Sequence, residues 1–492
     1  MLIWFLPLFL AVLMIGLPVI FALLAAPGIM LWATGAERDI GLMYRNLYNG
    51  MDSFPLMALP FFLLAGEIMN RGGITIRLVE FAQAFMGHLR GGLAHVNILS
   101  SMLFAGLSGS AVADVSALGS TLIPAMERNG YTRRFAAAIT AASSIIGPII
   151  PPSGIMIIYA YVMGESVAAL FLAGIVPGIL VGLGLMIMVR ILADRYDLPA
   201  AERIVARGTT IGATEYWVSL ILARINVAVL VWGASRLAPR PEGAAWDWAI
   251  LAAGLVLAHL LLLRWRAAVS RDFRLVCKRA VAPMQTPIII LGGILAGVFT
   301  PTEASVIAVA YALVISFFVL GTMRLADLSA VLARAALASS AVLLLVGAAV
   351  AFKTVVALSH APETMTAWIL SLSDNPLTLL FLINLLLFVV GMFLDAGPAI
   401  IILGPILGPI FTSLGVDSVH FAMIMAVNLT VGLATPPMGL VLFVTSTVSG
   451  EKVETISRAI LPFLAVQVAV IFLITYVPAI SLTIPRLAGF VN

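Results

Sequence analysis

Charged residues are scarce in this sequence, and cysteine is nearly absent. Only 10% of the 492 residues are Asp, Glu, Lys or Arg, whereas 62% are hydrophobic. The single cysteine, Cys277, excludes an intramolecular disulfide and any metal site built from several thiolates. P-loop, His-Glu-x-x-His and Gly-x-Ser-x-Gly motifs are missing as well, so we expect neither an enzyme nor ATP hydrolysis, and neither an organic cofactor nor a transition metal.

Long apolar runs dominate what is present. About a dozen runs of about 17 to 25 residues match the thickness of a bilayer core, which predicts an all-α polytopic protein in a lipid bilayer. The first run, at 2–25, follows no positively charged region and precedes no small-residue cleavage site, so we expect a retained span and not a removed signal peptide. The net charge of +4 is explained by basic cytoplasmic loops, and we expect no nucleic-acid partner.

Two stretches, 93–127 and 376–414, are too long for one crossing and have Gly-containing middles, GLSGSAVAD and LDAGP. The first is flanked by Arg90 and Arg128, which places both of its ends on the cytoplasmic side. A chain that enters and leaves on one side is a re-entrant hairpin, which is permitted where protein or a watery cavity satisfies the backbone at its tip. The second stretch has acidic flanks, so we expect it to open on the opposite face.

Each hairpin is followed by a span that glycine and proline interrupt. The sequences are GPIIPPSG at 147–154 and GLATPPMG at 432–439, and they contain the only two Pro-Pro pairs. The connections before them have opposite charge bias, which predicts an inverted repeat. The expected segments are N-terminal scaffold helices (1–92), transport repeat 1 (93–200), a linker with an extra hydrophobic hairpin (201–283), scaffold helices (284–373), transport repeat 2 (374–450) and a C-terminal helix (451–492).

Proline removes a backbone donor and frees the carbonyl four residues earlier, so each break offers oxygens that suit a hard cation such as Na⁺. The alternative is that Pro and Gly only kink the spans for packing. The candidate oxygen donors are Ser108, Ser110, Gly147, Ile150 and Pro152 in the first copy, and Gly432, Ala434, Thr435 and Pro436 in the second.

Asp114 and Asp395 lie in the apolar hairpins, where an unpaired carboxylate is costly. Either could stabilise a nearby cation, or could cap the backbone of its tip, and both roles are compatible. The tips also expose backbone N–H groups, whose positive dipole attracts carboxylates. Sodium sites beside such tips suggest cotransport of an anion.

At these motifs the sequence resembles the large membrane subunit of tripartite ATP-independent periplasmic (TRAP) transporters. The likeness covers most of the chain and includes FFLLAGEIM, GLSGSAVADVSALGS, GYTRRFAAAIT, GVFTPTEAS and GMFLDAGPAIIILGPIL in addition to the two breaks. The resemblance implies an elevator-type secondary transporter of the bacterial inner membrane, in which hairpins and broken helices form a mobile unit.

The family couples sodium entry to uptake of organic acids, which a periplasmic substrate-binding protein delivers, and a small four-helix membrane subunit completes the scaffold. The resemblance implies a first sodium site at Ser108, the carbonyls of Gly147, Ile150 and Pro152, and Asp114. It implies a second site at Gly432 and Thr435 with Asp395. Substrate contacts are expected at the tips and at the second break, namely at Ser108, Gly109, Ser110, Gly397 and Thr435.

The sequence departs from the family at about 205–268, a stretch that a typical large subunit lacks or has much shorter. Three other functions remain open at this point. One is a sodium/dicarboxylate or proton-coupled carrier that needs no binding protein, and another is a passive channel. The third is an intramembrane aspartyl protease built on Asp114 and Asp395, although the Tyr-Asp and Gly-x-Gly-Asp patterns of such proteases are missing here.

Overall fold

The computed structural model describes residues 5–33, 35, 38–199, 210–235, 244–358, 367–369, 371, 373 and 375–491. All regular elements in these ranges are helical, which confirms the prediction of an all-α polytopic membrane protein. Eight of the described helices are long and apolar enough to cross a membrane. The number is nine if the bent pair Asp39–Met51 and Pro55–Arg71 counts as one span.

The helices are numbered in chain order, and two five-residue π-helical segments are labelled π1 and π2. They are α1 (Phe5–Met14), α2 (Val19–Ala33), α3 (Arg38–Met51), α4 (Ala58–Arg71), α5 (Ile74–Met86), α6 (Gly92–Ser108), α7 (Ala111–Asp114), π1 (Val115–Gly119), α8 (Ser120–Arg128), α9 (Arg133–Ser144), α10 (Gly154–Met163), α11 (Val167–Arg195), α12 (Ala213–Ser235), α13 (Ala244–Ala268), α14 (Arg271–Leu295), α15 (Pro301–Val314), π2 (Ile315–Val319), α16 (Leu325–Leu358), α17 (Pro376–Phe393), α18 (Ala396–Ser413), α19 (Ser418–Gly432), α20 (Leu440–Ser449), α21 (Val453–Tyr476) and α22 (Ala479–Leu487).

Eight or nine helices of spanning length are fewer than the dozen apolar runs in the sequence, so not every run is a single spanning helix in the described residues. Five apolar helices, α2, α6, α10, α19 and α20, are only 10–17 residues long in their apolar parts. The run at 2–25 is interrupted by Gly16 and Pro18, so α1 and α2 replace the single predicted span. Glycine and proline break the helical hydrogen-bond ladder, so a run of spanning length need not be one helix.

The long helix α16 packs on α2, α3 and α4. Helix α15 packs on α4. Helices α12 and α13, within the linker predicted at 201–283, pack mainly on each other, and α12 also packs on α14. Only 11% of the most apolar window of each is buried, so this pair lies at the periphery of the molecule with its apolar side chains outward. Residues 201–209 and 236–243 of the same segment lie outside the described residues.

A largely buried ion cluster joins α12 to the rest of the protein. Glu215 on α12 lies 3.3 Å from the Arg77 guanidinium of α5 and 4.0 Å from that of Arg279 on α14. Arg279 also pairs with Glu80 at 3.1 Å. The side chains of Arg77 and Arg279 are each 12% exposed and that of Glu215 is 5% exposed, so these charges compensate one another away from water.

The segments α6–α11 and α17–α21 exchange contacts reciprocally. Within each segment, both limbs of the hairpin pack on the helix that precedes the break, which is α9 in the first and α19 in the second. Across the segments, α10 packs on α18, and α20 packs on π1 and α8. The second helix after each break packs on the helix that leads into the other segment's break, α21 on α9 and α11 on α19. The two hairpins and both breaks therefore form one interlocked unit.

Candidate functional site

The tip of the first hairpin is a tight turn that rests on the first break. Helix α6 ends at Ser108, its C-cap Gly109 has a φ of +58°, and Ser110 caps α7 by accepting a hydrogen bond from the Ala113 N–H. A Cβ added to Gly109 would collide with the Pro152 carbonyl oxygen. Glycine is required here for two reasons. A residue with a side chain would be strained in this left-handed backbone conformation, and its Cβ would clash with the backbone of the first break.

Asp114 lies beneath this tip and is fully buried. The Ser108 hydroxyl donates a hydrogen bond to its Oδ1 atom, whereas Oδ2 accepts none from the described residues. A Cβ built on Gly147 would lie 2.7 Å from Oδ2 and 3.1 Å from the Ser144 carbonyl oxygen. The structure thus brings Ser108, Asp114 and Gly147 together and points an unpartnered carboxylate oxygen at the first break. A carboxylate that is ionised in such a buried position requires a cation beside it.

The first break runs from the end of α9 at Ser144 to the start of α10 at Gly154. Its Pro151–Pro152 peptide bond is cis. Ser153 closes the break, because its hydroxyl donates to the Pro148 carbonyl at 2.5 Å and accepts from the Met156 N–H at 3.3 Å. The Ile150 side chain lies against Gly178 of α11.

The tip of the second hairpin differs from the first in the position of its aspartate. Asp395 is the N-cap of α18, and its Oδ1 atom accepts a hydrogen bond from the Ala396 N–H at 2.8 Å. The residue at the matching N-cap of the first hairpin is Ser110, whereas Asp114 lies four residues further along. Of the two roles expected for the aspartates, Asp395 therefore performs the capping of its hairpin tip. The two aspartates do not occupy equivalent positions in their hairpins.

The second break follows Gly432 and also contains a cis bond, between Pro436 and Pro437. Thr435 is 3% exposed and its hydroxyl donates to the Val431 carbonyl at 2.9 Å, which leaves the lone pairs of the hydroxyl oxygen available. Ala434 is buried as well, whereas Pro436 is partly exposed.

Gly432 lies where α19 crosses α17, directly against Gly391. A Cβ added to Gly432 would lie 2.5 Å from the Cα and carbonyl carbon atoms of Gly391. Neither backbone can rotate away as a side chain could, so the helices can approach this closely only because both residues are glycine.

We expect Gly432→Ala to destabilise the protein by about 2 kcal/mol, as overpacking in a tight core does. Gly292→Ala is the matched control, because Gly292 is also helical and a Cβ there would meet no atom within 4 Å. Thermal unfolding in detergent should show a lower midpoint for Gly432→Ala and an unchanged or higher one for Gly292→Ala. Equal midpoints for the two variants would contradict the assigned crossing.

A cavity of about 170 Å³ opens between the two hairpin tips and the first break. Four of the five predicted substrate residues, Ser108, Gly109, Ser110 and Gly397, line it, and so do Pro152 and Asp395. Thr435 is not among its lining residues, and only Leu433 represents the second break. None of the described residues that line it is basic.

The wall opposite the tips was not predicted. Leu59, Phe62 and Leu63 of α4 and Val342 and Leu345 of α16 close the cavity on that side. These are ordinary apolar residues within apolar helices, so a single sequence contains no signal that distinguishes them.

Two buried asparagines were also missed, one in the first limb of each hairpin. Asn97 of α6 donates to the Thr140 hydroxyl of α9 at 2.6 Å. Asn384 of α17 accepts from the Asn428 amide of α19 at 2.6 Å. Each pair fixes a hairpin to the helix that leads into the adjacent break. The sequence feature that could have identified these asparagines is an uncharged polar residue inside an apolar run.

Comparison with known families adds to this geometry. Residues 6–480 match the family described as "Tripartite ATP-independent periplasmic transporter, DctM component". The chain belongs to this family. It is the large permease component of a TRAP transporter, a multi-pass protein of the bacterial inner membrane and not an enzyme, as the motifs had predicted.

Curated relatives of this TRAP permease match nearly end to end. It is 35% identical over 461 residues to the C4-dicarboxylate TRAP transporter large permease protein DctM of Pseudomonas aeruginosa, covering 94% of this chain and 92% of that protein. It is 34% identical over 481 residues to the sialic acid TRAP transporter large permease protein SiaM of Vibrio cholerae, covering 97% of each. The isethionate TRAP transporter permease protein DctMQ of Oleidesulfovibrio alaskensis is longer, and its 35% identity covers 96% of this chain but 64% of that protein.

Among solved structures, the fold resembles the YdaH transporter of Alcanivorax borkumensis. The TM-score is 0.58 at 16% sequence identity, over 92% of this chain and 90% of that one. At this identity the likeness establishes the shared fold alone.

Proposed function

We propose that this TRAP permease uses the sodium gradient to import an organic acid, which binds in the cavity between the hairpin tips. The observation that carries the proposal is the Asp114 Oδ2 atom, which is buried without a hydrogen-bond donor beside the Gly147 backbone. A monovalent cation fits that position, since it would neutralise the carboxylate and accept the oxygens of the broken helix as ligands. Ser108 and the carbonyls at Gly147, Ile150 and Pro152 complete the proposed first sodium site.

The cavity itself supports the coupling of a cation to an anion. Its described lining contains the Asp395 carboxylate and no basic side chain, so an organic anion that entered alone would face an uncompensated negative charge. Sodium ions bound behind the two tips would remove that repulsion. Gly432, Ala434, Thr435 and Pro436, with Asp395 nearby, form the proposed second site.

The substrate class rests on the relatives, whose names specify a C4-dicarboxylate, sialic acid and isethionate. All three are organic anions, and a cavity without a fixed cation but with adjacent sodium sites suits such solutes. Delivery by a periplasmic binding protein and assembly with a small four-helix subunit are part of the proposal. The DctMQ protein supports the second partner, since about a third of its length lies beyond the match to this chain.

The reciprocal packing of α6–α11 and α17–α21 supports an inverted repeat and an elevator movement. In this proposal the hairpins and broken helices move as one unit past the α4 and α16 wall, carrying solute and sodium together. The division into transport segments at 93–200 and 374–450 and scaffold segments elsewhere stays a prediction.

The function is tested by uptake into proteoliposomes that contain this permease with its small subunit, supplied with the binding protein and labelled organic acid. Uptake should require an inward sodium gradient and all three proteins. Uptake by this subunit alone would favour the binding-protein-independent carrier, and conductance without sodium dependence would favour a channel.

Thr435→Ala should raise the sodium concentration needed for half-maximal uptake by about fivefold, the equivalent of one lost ligand hydroxyl at about 1 kcal/mol. Thr430→Ala is the matched control, because Thr430 is also buried in α19 and also donates to the carbonyl four residues earlier, that of Ala426. Identical sodium activation curves for the two variants would remove Thr435 from the proposed site.

A further inference from the structure

A strongly cationic cavity of about 380 Å³ lies between α12, α13 and α14, far along the chain from the hairpins. Five basic side chains line it, namely Arg224, Arg266, Arg271, Arg274 and Lys278. None of the described residues in its lining is acidic. A concentration of like charges such as this one favours binding of a multiply coordinated anion.

Contacts among the described residues inside the cavity supply no negative charge to compensate these basic side chains. The Arg224 guanidinium lies 3.1 Å from Nδ1 of His259, and the Lys278 ammonium lies 3.7 Å from the centre of the Tyr216 ring. Neither contact supplies a negative charge. The nearby carboxylate of Glu215 is already paired with two arginines, as described above for the ion cluster.

An apolar groove continues from this cavity along the same three helices. Its volume is about 430 Å³, and it shares Leu220, Leu262, Trp265 and Lys278 with the cationic cavity. Small and apolar side chains form the remainder, including Ala223 and Val227. From Ser219 to Val227, the part of α12 that lines the groove, the helix rises about 12 Å at about 1.5 Å per residue, which is most of the depth of one leaflet of the bilayer core.

We propose that α12–α14 bind an anionic phospholipid, with its phosphate in the cationic cavity and an acyl chain in the apolar groove. Basic clusters mark the cytoplasmic ends of spans, where anionic lipid headgroups are found. The continuity of a charged cavity with an elongated apolar groove matches a molecule that has both a charged headgroup and an acyl chain. A free phosphate would use only the first, and the groove argues against it.

The test measures binding of dioleoylphosphatidylglycerol to the delipidated full-length permease by native mass spectrometry. Arg266→Gln/Lys278→Gln should weaken it by about 30-fold, since each basic group near an anionic lipid contributes about fivefold. Arg195→Gln/Arg264→Gln is the control, with the same loss of charge at exposed residues outside the lining of the cavity, and should change binding less than about twofold. Equal losses of lipid affinity in both double variants would overturn the proposed lipid site.

Two further arms distinguish the source of the phosphate and the other occupants. Ala223→Trp fills the groove and should weaken the phospholipid at least tenfold while leaving binding of glycerol 3-phosphate unchanged. Displacement of the phospholipid by glycerol 3-phosphate at similar concentration, or equally tight binding of dioleoylphosphatidylcholine, would overturn the proposal. So would exclusion of the lipid when the small subunit is bound, because that would show that a protein helix covers the groove.

Discussion

Asp114→Asn is expected to reduce sodium-driven uptake by about 100-fold or more while the protein remains folded. The substitution keeps the size of the side chain but removes the negative charge that faces Gly147. Breaking a buried charge pair costs about 3 to 5 kcal/mol, and each 1.4 kcal/mol is about tenfold in binding, so the proposed first sodium site would be lost at physiological sodium. Uptake is measured in the reconstituted three-protein system with sodium varied at fixed ionic strength.

A second measurement separates a sodium ligand from a merely structural aspartate. A ligand that binds only the folded state raises its stability, by about 1.4 kcal/mol at tenfold its dissociation constant. Sodium should therefore raise the unfolding temperature of the wild type relative to choline, and the rise should be smaller in Asp114→Asn. Unchanged sodium stabilisation together with unchanged uptake would show that Asp114 is a neutral packing group.

The matched control for this variant is Asp417→Asn. Asp417 caps α19, and its Oδ1 atom accepts from the Val419 N–H at 2.9 Å and from the His420 N–H at 3.2 Å. Asparagine is an equally good capping residue, so the same chemical change should leave uptake within about twofold. A comparable loss in both variants would indicate a general effect of removing an acid.

Glu215→Gln should lower the free energy of unfolding by about 3 kcal/mol, because it leaves buried arginine charge without its partner. Among the described residues, Arg77 would keep no carboxylate within 4.0 Å and Arg279 would retain Glu80 alone. Since this cluster attaches α12 to α5 and α14, we also expect easier proteolysis between α12 and α13. Thermal unfolding and limited proteolysis in detergent measure the two effects.

Glu67→Gln provides the comparison for that variant. Glu67 pairs with Arg334 at 3.3 Å, but these side chains are 36% and 58% exposed. Exposed pairs contribute about 0 to 1 kcal/mol, so the unfolding temperature should hardly move. A loss equal to that of Glu215→Gln would mean that burial does not determine the cost.

The positions of the tips and breaks followed from local chemistry and could be predicted. Gly109, with a φ of +58°, and the Pro-Pro pairs that begin at 151 and 436 end helices through effects on the backbone of neighbouring residues. The sequence alone therefore indicates where these helices end. The same rules could not separate Asp114 from Asp395. Both fit a capping role, and only the start of each helix, at Ala111 and at Ala396, shows which aspartate is the cap.

The surroundings of the site depend on contacts between distant parts of the chain. Leu59 and Val342 form its outer wall although 283 positions separate them, and nothing in either apolar helix indicates the partner. The exclusion of Thr435 from the cavity has a similar origin, since the direction of a side chain at a break depends on what packs around it. The motifs of such a site can be predicted from one sequence, whereas the residues of its walls cannot.

The exchange of helices between the two segments bears on how such a chain could arise. Residues 92–195 by themselves would leave bare the faces of α9 and α10 that α21 and α18 cover. A solitary half would satisfy those faces only with a second copy. Under the inverted repeat proposed above, an ancestor encoded by one unduplicated gene would have worked as a pair of identical subunits, and fusion of the genes would have changed the connectivity without creating new neighbours.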